Sequence, residues 1–518
     1  MAKKFLYDEL APVETTGGKL QGYFFDKTYV FKGIPYAQAK RFQMPEEAKW
    51  EGVFEAASYG MVCPLLKQDV PRGELFVPHR YWPQDEHCQN LNIWTTSLDK
   101  SANKPVLVWL HGGGFFAGSS IEHIAYDGAN LSYNGDVVVV SINHRLNILG
   151  YMDLSPFGEK YKNSANAGHA DMVAALKWVN KNIAAFGGDP GNVTVFGQSG
   201  GGMKCTGLMQ IPEANGLFHK AIIISGVSDG KLIPAPKGDG RQIVKAMMKE
   251  LGISDVEALE TVPYYELAKA YNSVSEEIKK AGGYVGNAPM ANDWYMGEPL
   301  ITGFTEHAKT IPFIVGTVFG EFAFAPLPLD KTKATEEEIT AALTAKFGEG
   351  TPELIDLYKK AYPDKNLADL FALDYIFRVP TKALANLAAK ESNAPAYMYN
   401  FTLELPYKQN KIAWHCIDIP FFFHNTDKVE VCNIPDVTEK LEAQIFGVVK
   451  AFAHTGDPNH DGIPAWPAVT TEREANMIFD CNCEVRYNYD DELIALLQKI
   501  SPPFWLAPPP KDEDKVQH

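Results

Sequence analysis

The sequence has no long hydrophobic run: no stretch approaches the ~20 consecutive apolar residues that a membrane-spanning helix needs. It also has little positive charge, because 48 lysine and arginine residues stand against 64 aspartate and glutamate residues, giving a net charge of −16. A surface of this sign repels phosphate backbones and anionic lipids, so neither nucleic acid nor a membrane surface is an expected partner. The first residues lack the apolar segment of a secretory signal, which predicts a cytoplasmic protein, with the mature form of a secreted protein as the alternative.

Cysteine is scarce as well, with seven residues among 518. This number is too small for a disulfide scaffold, and the C-x-C pattern of Cys481 and Cys483 lacks the spacing of a zinc or redox motif. No internal repeat is present, and no linker rich in glycine, serine or proline divides the chain. We therefore expect one domain over residues 1–510, followed by a polar tail at 511–518.

What the sequence does contain is an alternation of apolar runs with helical periodicities. This alternation predicts an α/β fold with a mostly parallel central sheet flanked by helices. The clearest strands are predicted at residues 106–110, 137–142, 193–196, 221–224, 313–315 and 397–401. Two charged stretches, at about 238–281 and 331–392, are predicted to be helical insertions between core strands.

A serine follows directly after one of these strands, in Gly197-Gln198-Ser199-Gly200-Gly201. A Gly-x-Ser-x-Gly turn between a strand and a helix holds the serine hydroxyl above the edge of the sheet, and the glycines prevent steric clash. The start of the following helix then faces developing negative charge. The pattern predicts a nucleophile, with a glycine-rich helix start that binds phosphate, or nothing, as the alternative.

A second glycine-rich segment, residues 111–115, follows the predicted strand at 106–110. Consecutive glycines let backbone N–H groups converge on one point, and such donors stabilise the oxyanion of acyl transfer. Phosphate loops normally continue with lysine and serine or threonine, whereas Phe115 and Phe116 stand here. Two independent motifs in this order favour acyl transfer over phosphate binding.

An activated serine needs an imidazole as its base. In hydrolases with this serine turn the chain order is serine, then aspartate or glutamate, then histidine. That order removes the early histidines, His111, His144 and His169. It favours His415, which lies between a polar turn and an aromatic run, and leaves three other candidates: His424, His454 and His460.

The imidazole in turn needs a carboxylate that orients it. Glu321 lies on a glycine-containing loop just beyond the predicted strand at 313–315. Ligand-facing residues of open α/β sheets cluster at such positions, which favours Glu321 as the acid. Chain order alone leaves Asp293 and Glu298 as alternatives.

These motifs resemble those of the type-B carboxylesterases, a family that includes cholinesterases and bacterial para-nitrobenzyl esterases, and the chain is most similar in character to the latter. The similarity runs from about residue 17 to residue 480. Its landmarks are residues 31–37, 91–94, 111–115, 186–194 and 455–458. The resemblance implies an α/β-hydrolase fold with helical insertions over the active site and hydrolysis of small-molecule carboxylic esters. It implies no metal and no organic cofactor.

The resemblance also implies roles for single residues. Ser199, Glu321 and His415 match the family's triad of nucleophile, acid and base. The implied oxyanion donors are the backbone N–H groups of Gly113, Gly114 and Gly200. Ser225 matches a buried serine that supports the triad, and packing at a strand end is the alternative for it.

The sequence departs from the family pattern in places. The family usually has Gly-Glu-Ser-Ala-Gly, and Gln198 and Gly200 replace the glutamate and the alanine; both changes keep the nucleophile and the N–H donors. Cys63 and Cys88 match the family's first disulfide pair, although a reducing cytoplasm would leave them as thiols. Pro78 stands where cholinesterases carry a choline-stacking tryptophan, which argues against choline esters.

The expected function is a serine carboxylesterase that works through an acyl-enzyme. The alternatives are acyl transfer or amide and carbamate cleavage by the same triad, and a catalytically inactive binding protein. Inactive adhesion members of the family lose triad or oxyanion residues that this chain keeps. Aromatic residues near the expected mouth suggest a substrate with an apolar or aromatic portion, or they belong to the core: Phe115, Phe116, Phe319, Phe322 and residues 421–423.

Overall fold

The computed structural model describes residues 3–67, 82–230, 238–286 and 288–502. The strands of this part of the chain are β1 (Phe5–Leu6), β2 (Val13–Glu14), β3 (Lys19–Gln21), β4 (Tyr23–Phe25), β5 (Thr28–Pro35), β6 (Ala37–Gln38), β7 (Glu46–Glu47), β8 (Val53–Glu55), β9 (Asn90–Thr95), β10 (Lys104–Leu110), β11 (Val138–Ile142), β12 (Gly188–Gln198), β13 (Lys220–Ile224), β14 (Phe313–Val318), β15 (Ala396–Phe401), β16 (Glu404–Leu405), β17 (Lys411–Ile412), β18 (Ala475–Phe479) and β19 (Glu484–Tyr487). Its α-helices are α1 (Ala129–Gly135), α2 (Asn147–Tyr151), α3 (Ala167–Asn182), α4 (Gly200–Met209), α5 (Arg241–Leu251), α6 (Tyr264–Lys280), α7 (Pro299–Thr302), α8 (Glu336–Phe347), α9 (Thr351–Ala361), α10 (Arg378–Glu391), α11 (Ile419–Phe422), α12 (Thr438–Thr455) and α13 (Asp491–Ile500).

Twelve of these strands form one sheet, in the order β1-β4-β5-β9-β11-β10-β12-β13-β14-β15-β18-β19. All neighbours from β11 to β18 are parallel. The strands outside this central part pair antiparallel. The structure confirms the predicted α/β architecture with a mostly parallel central sheet.

The sheet divides the core into two layers. In β10, Val106, Val108 and Leu110 belong to the apolar cluster on one face, and Leu107 and Trp109 belong to the cluster on the other face. All five side chains are fully buried. Because side chains alternate between the faces of a strand, a strand covered on both faces reads as an unbroken apolar run.

Helices occupy both stretches that the sequence assigns to insertions. Helices α5 and α6 lie within residues 238–281, and α8, α9 and α10 lie within residues 331–392. Helix α8 begins with a capping box in which Thr335 and Glu338 exchange side-chain-to-backbone hydrogen bonds, so its start is fixed by local sequence. The polar tail at 511–518 and Pro78 lie outside the described residues.

Parallel strands bring their carboxyl ends to one edge of the sheet. The glycine-rich segment at 111–115 follows β10, Ser199 follows β12, Ser225 follows β13, and Glu321 lies three residues after the end of β14. This edge is where open α/β sheets bind ligands. None of the described helices combines the length and apolar character that crossing a bilayer requires.

Candidate active site

Ser199 sits on a strained turn between β12 and α4. Its backbone has φ 58° and ψ −124°, a conformation that a residue other than glycine rarely adopts. Its N–H donates to Ile224 O over 2.8 Å, which ties the turn to β13. A Cβ on Gly201 would lie 2.0 Å from Leu110 O, so only glycine fits there. The turn has the strand-to-helix geometry that the Gly-x-Ser-x-Gly pattern predicts.

The glycine-rich segment after β10 lies directly against this turn. Gly113 and Gly114 have φ 85° and 62°, values that favour glycine. A Cβ on Gly200 would lie 2.5 Å from Gly114 N and 2.3 Å from Gly114 O, so the two backbones are in contact. No described residue accepts a hydrogen bond from the N–H groups of Gly113, Gly114 or Gly200. These three donors are available to a ligand.

The structure brings His415 and Glu321 together across 94 residues of sequence. Nδ1 of His415 lies 2.5 Å from Oε2 of Glu321. The N–H of Val318, at the end of β14, donates to the other carboxylate oxygen over 3.0 Å. The N–H of His415 donates to Glu321 O over 2.7 Å, so backbone and side chain both fix the pair. Glu321 is fully buried and His415 nearly so.

Burial disfavours charge on both members of this pair. It raises the pKa of Glu321 to about 8, against the opposing effects of the Ser225 hydroxyl and the Val318 N–H. It lowers the pKa of His415 to about 4, against the opposing charges of Asp418 and Asp374. Ser225 Oγ is buried near Glu321 but makes no hydrogen bond of good geometry with a described residue.

Two further buried carboxyl groups surround the pair. Burial and the charge of Glu321 raise the pKa of both Asp374 and Asp418 to about 7. Asp418 accepts a hydrogen bond from Tyr399 Oη over 2.9 Å. Neither group is among the site residues that the sequence predicts. The Asp374 carboxylate accepts N–H groups at the start of α10 and therefore resembles an ordinary helix cap.

The side-chain amide of Gln198 lies against the imidazole, with its Nε2 3.3 Å from His415 Nδ1. Its Nε2 lies 3.1 Å from His415 Nε2, and its Oε1 accepts a hydrogen bond from Cys416 Sγ over 3.2 Å. Among the described residues, no hydrogen bond joins Ser199 Oγ to His415. Phe322 and Phe377 pack on the imidazole, with ring centroids 4.9 Å and 5.5 Å away.

The alternative bases and acids make no hydrogen bond with Ser199, Glu321 or His415 among the described residues. The histidines interact with structural partners: His424 with Glu442 at 3.2 Å, His454 with Gly135 O at 3.0 Å, and His460 with Gln444 O at 3.0 Å. Asp293 is exposed. Glu298 accepts hydrogen bonds from Tyr295 and Thr206 and contacts no histidine through a hydrogen bond. Of all candidates, Glu321 and His415 are the pair that the structure joins.

The aromatic residues fall into two groups. Phe115 lines a cavity of about 270 Å³, and the next residue, Phe116, lines a different cavity of about 510 Å³. Phe322 packs on His415. Phe319 instead belongs to the helical cluster around α8 and α9, and residues 421–423 belong to the main core. For these last residues, the core interpretation holds.

Cys63 and Cys88 are buried free thiols in this structure, so the disulfide that the resemblance implies is not formed. Cys63 Sγ accepts a hydrogen bond from Leu146 N over 3.2 Å. Burial, together with the neighbouring Cys63, raises the pKa of Cys88 well above its usual value. Both sulfur atoms are buried in the structure.

Among the described residues, one acidic cluster has metal-binding spacing: Glu474, Asp490 and Asp491. The ammonium group of Lys382 contacts all three carboxylates. A lysine therefore already neutralises this cluster, and it offers no site for a metal ion.

Comparison with known proteins decides the family. The sequence model described as the carboxylesterase family matches residues 10–495. The chain belongs to this family. The carboxylesterase has an α/β-hydrolase fold and is a carboxylic ester hydrolase, as the sequence predicts. Small-molecule esters are its substrates.

Two relatives are similar over nearly their whole length. The carboxylesterase is 34% identical to a para-nitrobenzyl esterase of Bacillus subtilis (strain 168) over 494 residues, which cover 93% of this chain and 97% of the relative. It is 32% identical to a phenmedipham hydrolase of Pseudarthrobacter oxydans, over 90% of this chain and 94% of that protein.

Solved structures of esterases are similar to this chain as well. An esterase from the anaerobe Clostridium hathewayi that can hydrolyse aliphatic aromatic polyesters has a TM-score of 0.94 and 60% identity, covering 96% of this chain and all of that one. A thermophilic para-nitrobenzyl esterase has a TM-score of 0.75 and 33% identity, covering 94% of this chain and 99% of the other.

Proposed function

We propose that the carboxylesterase hydrolyses its esters with Ser199 as nucleophile, His415 as general base and acid, and Glu321 as the carboxylate that orients the imidazole. The contact of 2.5 Å between His415 Nδ1 and Glu321 Oε2 carries this proposal. It leaves Nε2 as the nitrogen that exchanges a proton with the substrate side of the site. The strained φ of Ser199 supports its role, because such strain clusters at active sites.

The first half of the reaction forms an acyl-enzyme. His415 Nε2 takes the proton of Ser199 Oγ as the oxygen attacks the ester carbonyl carbon. The carbonyl oxygen becomes an oxyanion, which accepts hydrogen bonds from the N–H groups of Gly113, Gly114 and Gly200. Loss of one such donor costs on the order of 3 kcal/mol in the barrier. The bond to the leaving alcohol then breaks, and the imidazolium gives its proton to the alcohol oxygen.

Water completes the cycle. His415 takes a proton from water as the water oxygen attacks the acyl carbon. The bond between that carbon and Ser199 Oγ breaks, Oγ recovers the proton, and the carboxylic acid leaves.

The preferred ester carries an apolar or aromatic portion. Phe115, at the end of the glycine-rich segment, lines one cavity, and residues 116–119, which follow the segment, line another. One ester group needs space for both its acyl part and its alcohol part. Phe115 faces one cavity and Phe116 faces the other. The similarity to an esterase that can hydrolyse aliphatic aromatic polyesters supports the same substrate preference here. The net charge of −16 argues against nucleic acid as a ligand.

A fluorophosphonate tests the nucleophile. The wild-type protein and the Ser199→Ala variant are treated with the reagent and weighed by mass spectrometry, with Ser101→Ala as a control at an exposed serine. We expect one adduct on the wild type and on the control, and none on Ser199→Ala. Labelling of Ser199→Ala at the wild-type rate would overturn the assignment. Hydrolysis of aryl esters graded by acyl length then measures the preference for apolar substrates.

A further inference from the structure

Glu298 is a half-buried carboxyl group that the proposed reaction does not use. It lines the cavity of about 270 Å³ that Phe115 faces. The rest of the lining is largely apolar, including Phe115, Met203, Ala288, Pro289, Met290 and Ile301. An apolar cavity with one well-placed polar group is the usual form of a small-molecule subsite.

Helix α4 connects this carboxyl group to the nucleophile. The N–H of Met203 donates to Ser199 O over 3.1 Å, and Thr206 Oγ1 donates to Glu298 Oε2 over 3.3 Å. Residues 199, 203 and 206 have the spacing i, i+4, i+7 and therefore share one face of the helix. Seven residues at 1.5 Å each put Thr206 about 10 Å along the helix from Ser199. The carboxyl group thus lies roughly two helical turns from the reacting serine.

An apolar cluster connects the wall of this cavity to the imidazole. Phe115, Met203 and Ala288 line the cavity and belong to one apolar cluster with Phe377. The ring of Phe377 stacks on His415 at an interplanar angle of 4°. A chain that extends from an acyl group on Ser199 along this wall would end at Glu298.

The contacts of Glu298 leave room for a cationic partner. Tyr295 Oη donates to Oε1 over 2.9 Å, and Thr206 Oγ1, whose proton also has Met203 O as an acceptor at 2.8 Å, lies 3.3 Å from Oε2. Both neighbours are neutral hydroxyl groups, and no described lysine, arginine or histidine forms an ion pair with Glu298. Burial raises its pKa to about 7, so the group is charged above neutral pH without a counter-ion. A half-buried carboxylate without a counter-ion gains from an opposite charge in a charge-assisted hydrogen bond.

We propose that Glu298 makes this cavity a subsite for acyl chains whose far end carries a hydrogen-bond donor, with an ammonium group as the strongest case. The proposal rests on the proposed triad, because it requires the acyl carbon to be bound to Ser199. An acyl chain that ends in an ammonium group pairs with the carboxylate, whereas a chain that ends in a carboxylate is repelled by it. The larger cavity beside Phe116 then receives the alcohol part.

Three phenyl esters of matched length test this subsite: an ω-aminohexanoate, a heptanoate, and the monoester of adipic acid. Their kcat/KM values are compared at a pH at which Glu298 is ionised. For the wild type we expect the order ammonium, then neutral, then anionic. The Glu298→Gln variant keeps one oxygen for the Tyr295 hydroxyl, presents an N–H to the Thr206 hydroxyl oxygen, and removes the charge. A hydrogen bond to a charged group supports a decrease of about tenfold or more in the ratio of ammonium to neutral ester.

A matched variant separates this local effect from the change in total charge. Asp293→Asn removes one negative charge from the same segment at an exposed position and is expected to keep the wild-type ratio. The proposal is wrong if the wild type does not prefer the ammonium ester, or if Glu298→Gln retains the preference. An equal preference when the ammonium group is moved to the alcohol part would overturn the acyl assignment.

The charge preference of the subsite can also be tested on the wild type alone, without Glu298→Gln. Hexylammonium and hexanol are compared as competitive inhibitors of the wild type, and hexylammonium should bind at least several times more tightly. Equal inhibition would contradict the subsite even if Glu298→Gln did not fold. Failure of the triad has a different signature, since Ser199→Ala would then still hydrolyse the heptanoate. An enzyme that depends on Ser199 but shows no charge preference contradicts the subsite alone.

Discussion

The amide nitrogen of Gln198 lies 3.1 Å from Nε2 of His415, the imidazole nitrogen that the proposed mechanism assigns to proton transfer. The family usually has glutamate at this position, next to the serine. Because Asp374, Asp418 and Glu321 already surround the imidazole, a fourth carboxylate would change the electrostatics of the site strongly. The neutral amide avoids this addition while it still holds the ring.

Gln198→Glu should therefore shift the pH dependence of catalysis. The new negative charge raises the pKa of His415 by favouring the imidazolium, and it raises the pKa of Glu321 by repelling its carboxylate. Both changes move the acidic limb of the kcat/KM profile to higher pH, by about one unit. Gln198→Ala, which removes the contact without adding charge, should leave that limb in place. An unmoved limb in Gln198→Glu would contradict this account.

Ser225→Ala should move the same limb through Glu321. The Ser225 hydroxyl opposes the rise in the pKa of Glu321, so its removal raises that pKa further above the value of about 8. The carboxylate form is then reached only at higher pH, and kcat/KM falls on the acidic side. Thr317→Val removes another buried hydroxyl without a partner, on the neighbouring strand β14, and should not shift the profile. Equal profiles for the two variants would favour a packing role for Ser225.

Gly200→Ala restores the residue that the family usually carries, and we expect it to lower activity. The new Cβ would lie 2.3 Å from Gly114 O, so the glycine-rich segment has to move. Displacement of one oxyanion donor lowers kcat by about a hundredfold. Steady-state kinetics with an aryl ester measure the change. Gly191→Ala, where the added Cβ meets only the side chain of Asp189 within 4 Å, is the control and should retain activity. Full activity of Gly200→Ala would show that the segment adapts at no cost.

Lys204→Met should stabilise the fold in a pH-dependent way. Lys204 is fully buried, and burial lowers its pKa from 10.5 to about 7. Between these values the unfolded chain holds a proton that the folded chain has lost, so the free energy of unfolding rises with pH in this window. At lower pH the folded state bears the full cost of the buried charge, about 5 kcal/mol for such a shift. The variant loses the bond from Nζ to His111 O, which is worth only about 1 kcal/mol.

Urea unfolding at several pH values measures this difference. The variant should exceed the wild type most below pH 7, and the two should converge toward pH 10.5. Lys245→Met, at an exposed lysine of α5, should change little at any pH. A variant that is less stable than the wild type throughout would show that the hydrogen bond to His111 outweighs the cost of burial.

The sequence predicts the sheet well because each central strand is buried on both faces. The predicted strand at 106–110 lies within β10, and the predicted strand at 193–196 lies within β12. A short continuous apolar run is typical of a strand that is buried on both faces. The serine turn is predictable for a similar reason. A Cβ at position 201 would lie 2.0 Å from Leu110 O, so only glycine fits there. Local constraints leave clear signals in a sequence.

Relationships between distant segments leave weaker signals. Order along the chain placed Glu298 and Glu321 on equal terms, and only the fold puts Glu321 beside His415 and Glu298 beside Thr206. The charge around His415 was also beyond prediction, because Asp374 comes from a helix start with no periodic or motif signal. From the sequence, the aromatic residues 421–423 fit a substrate pocket and the core equally well. In the structure they belong to the core, where Phe423 packs against Trp109 of β10 and Phe196 of β12.

The imidazole of His415 is held by Glu321, 94 residues earlier, and by Gln198, 217 residues earlier. A chain emerging from the ribosome therefore exposes its serine turn long before the base that activates it exists. Fragments that end before residue 415 should be inert toward esters however well their first strands fold. With the proposed triad, activity toward esters is acquired late in synthesis, and its first appearance during translation would report that the segment around residue 415 has packed against the serine turn.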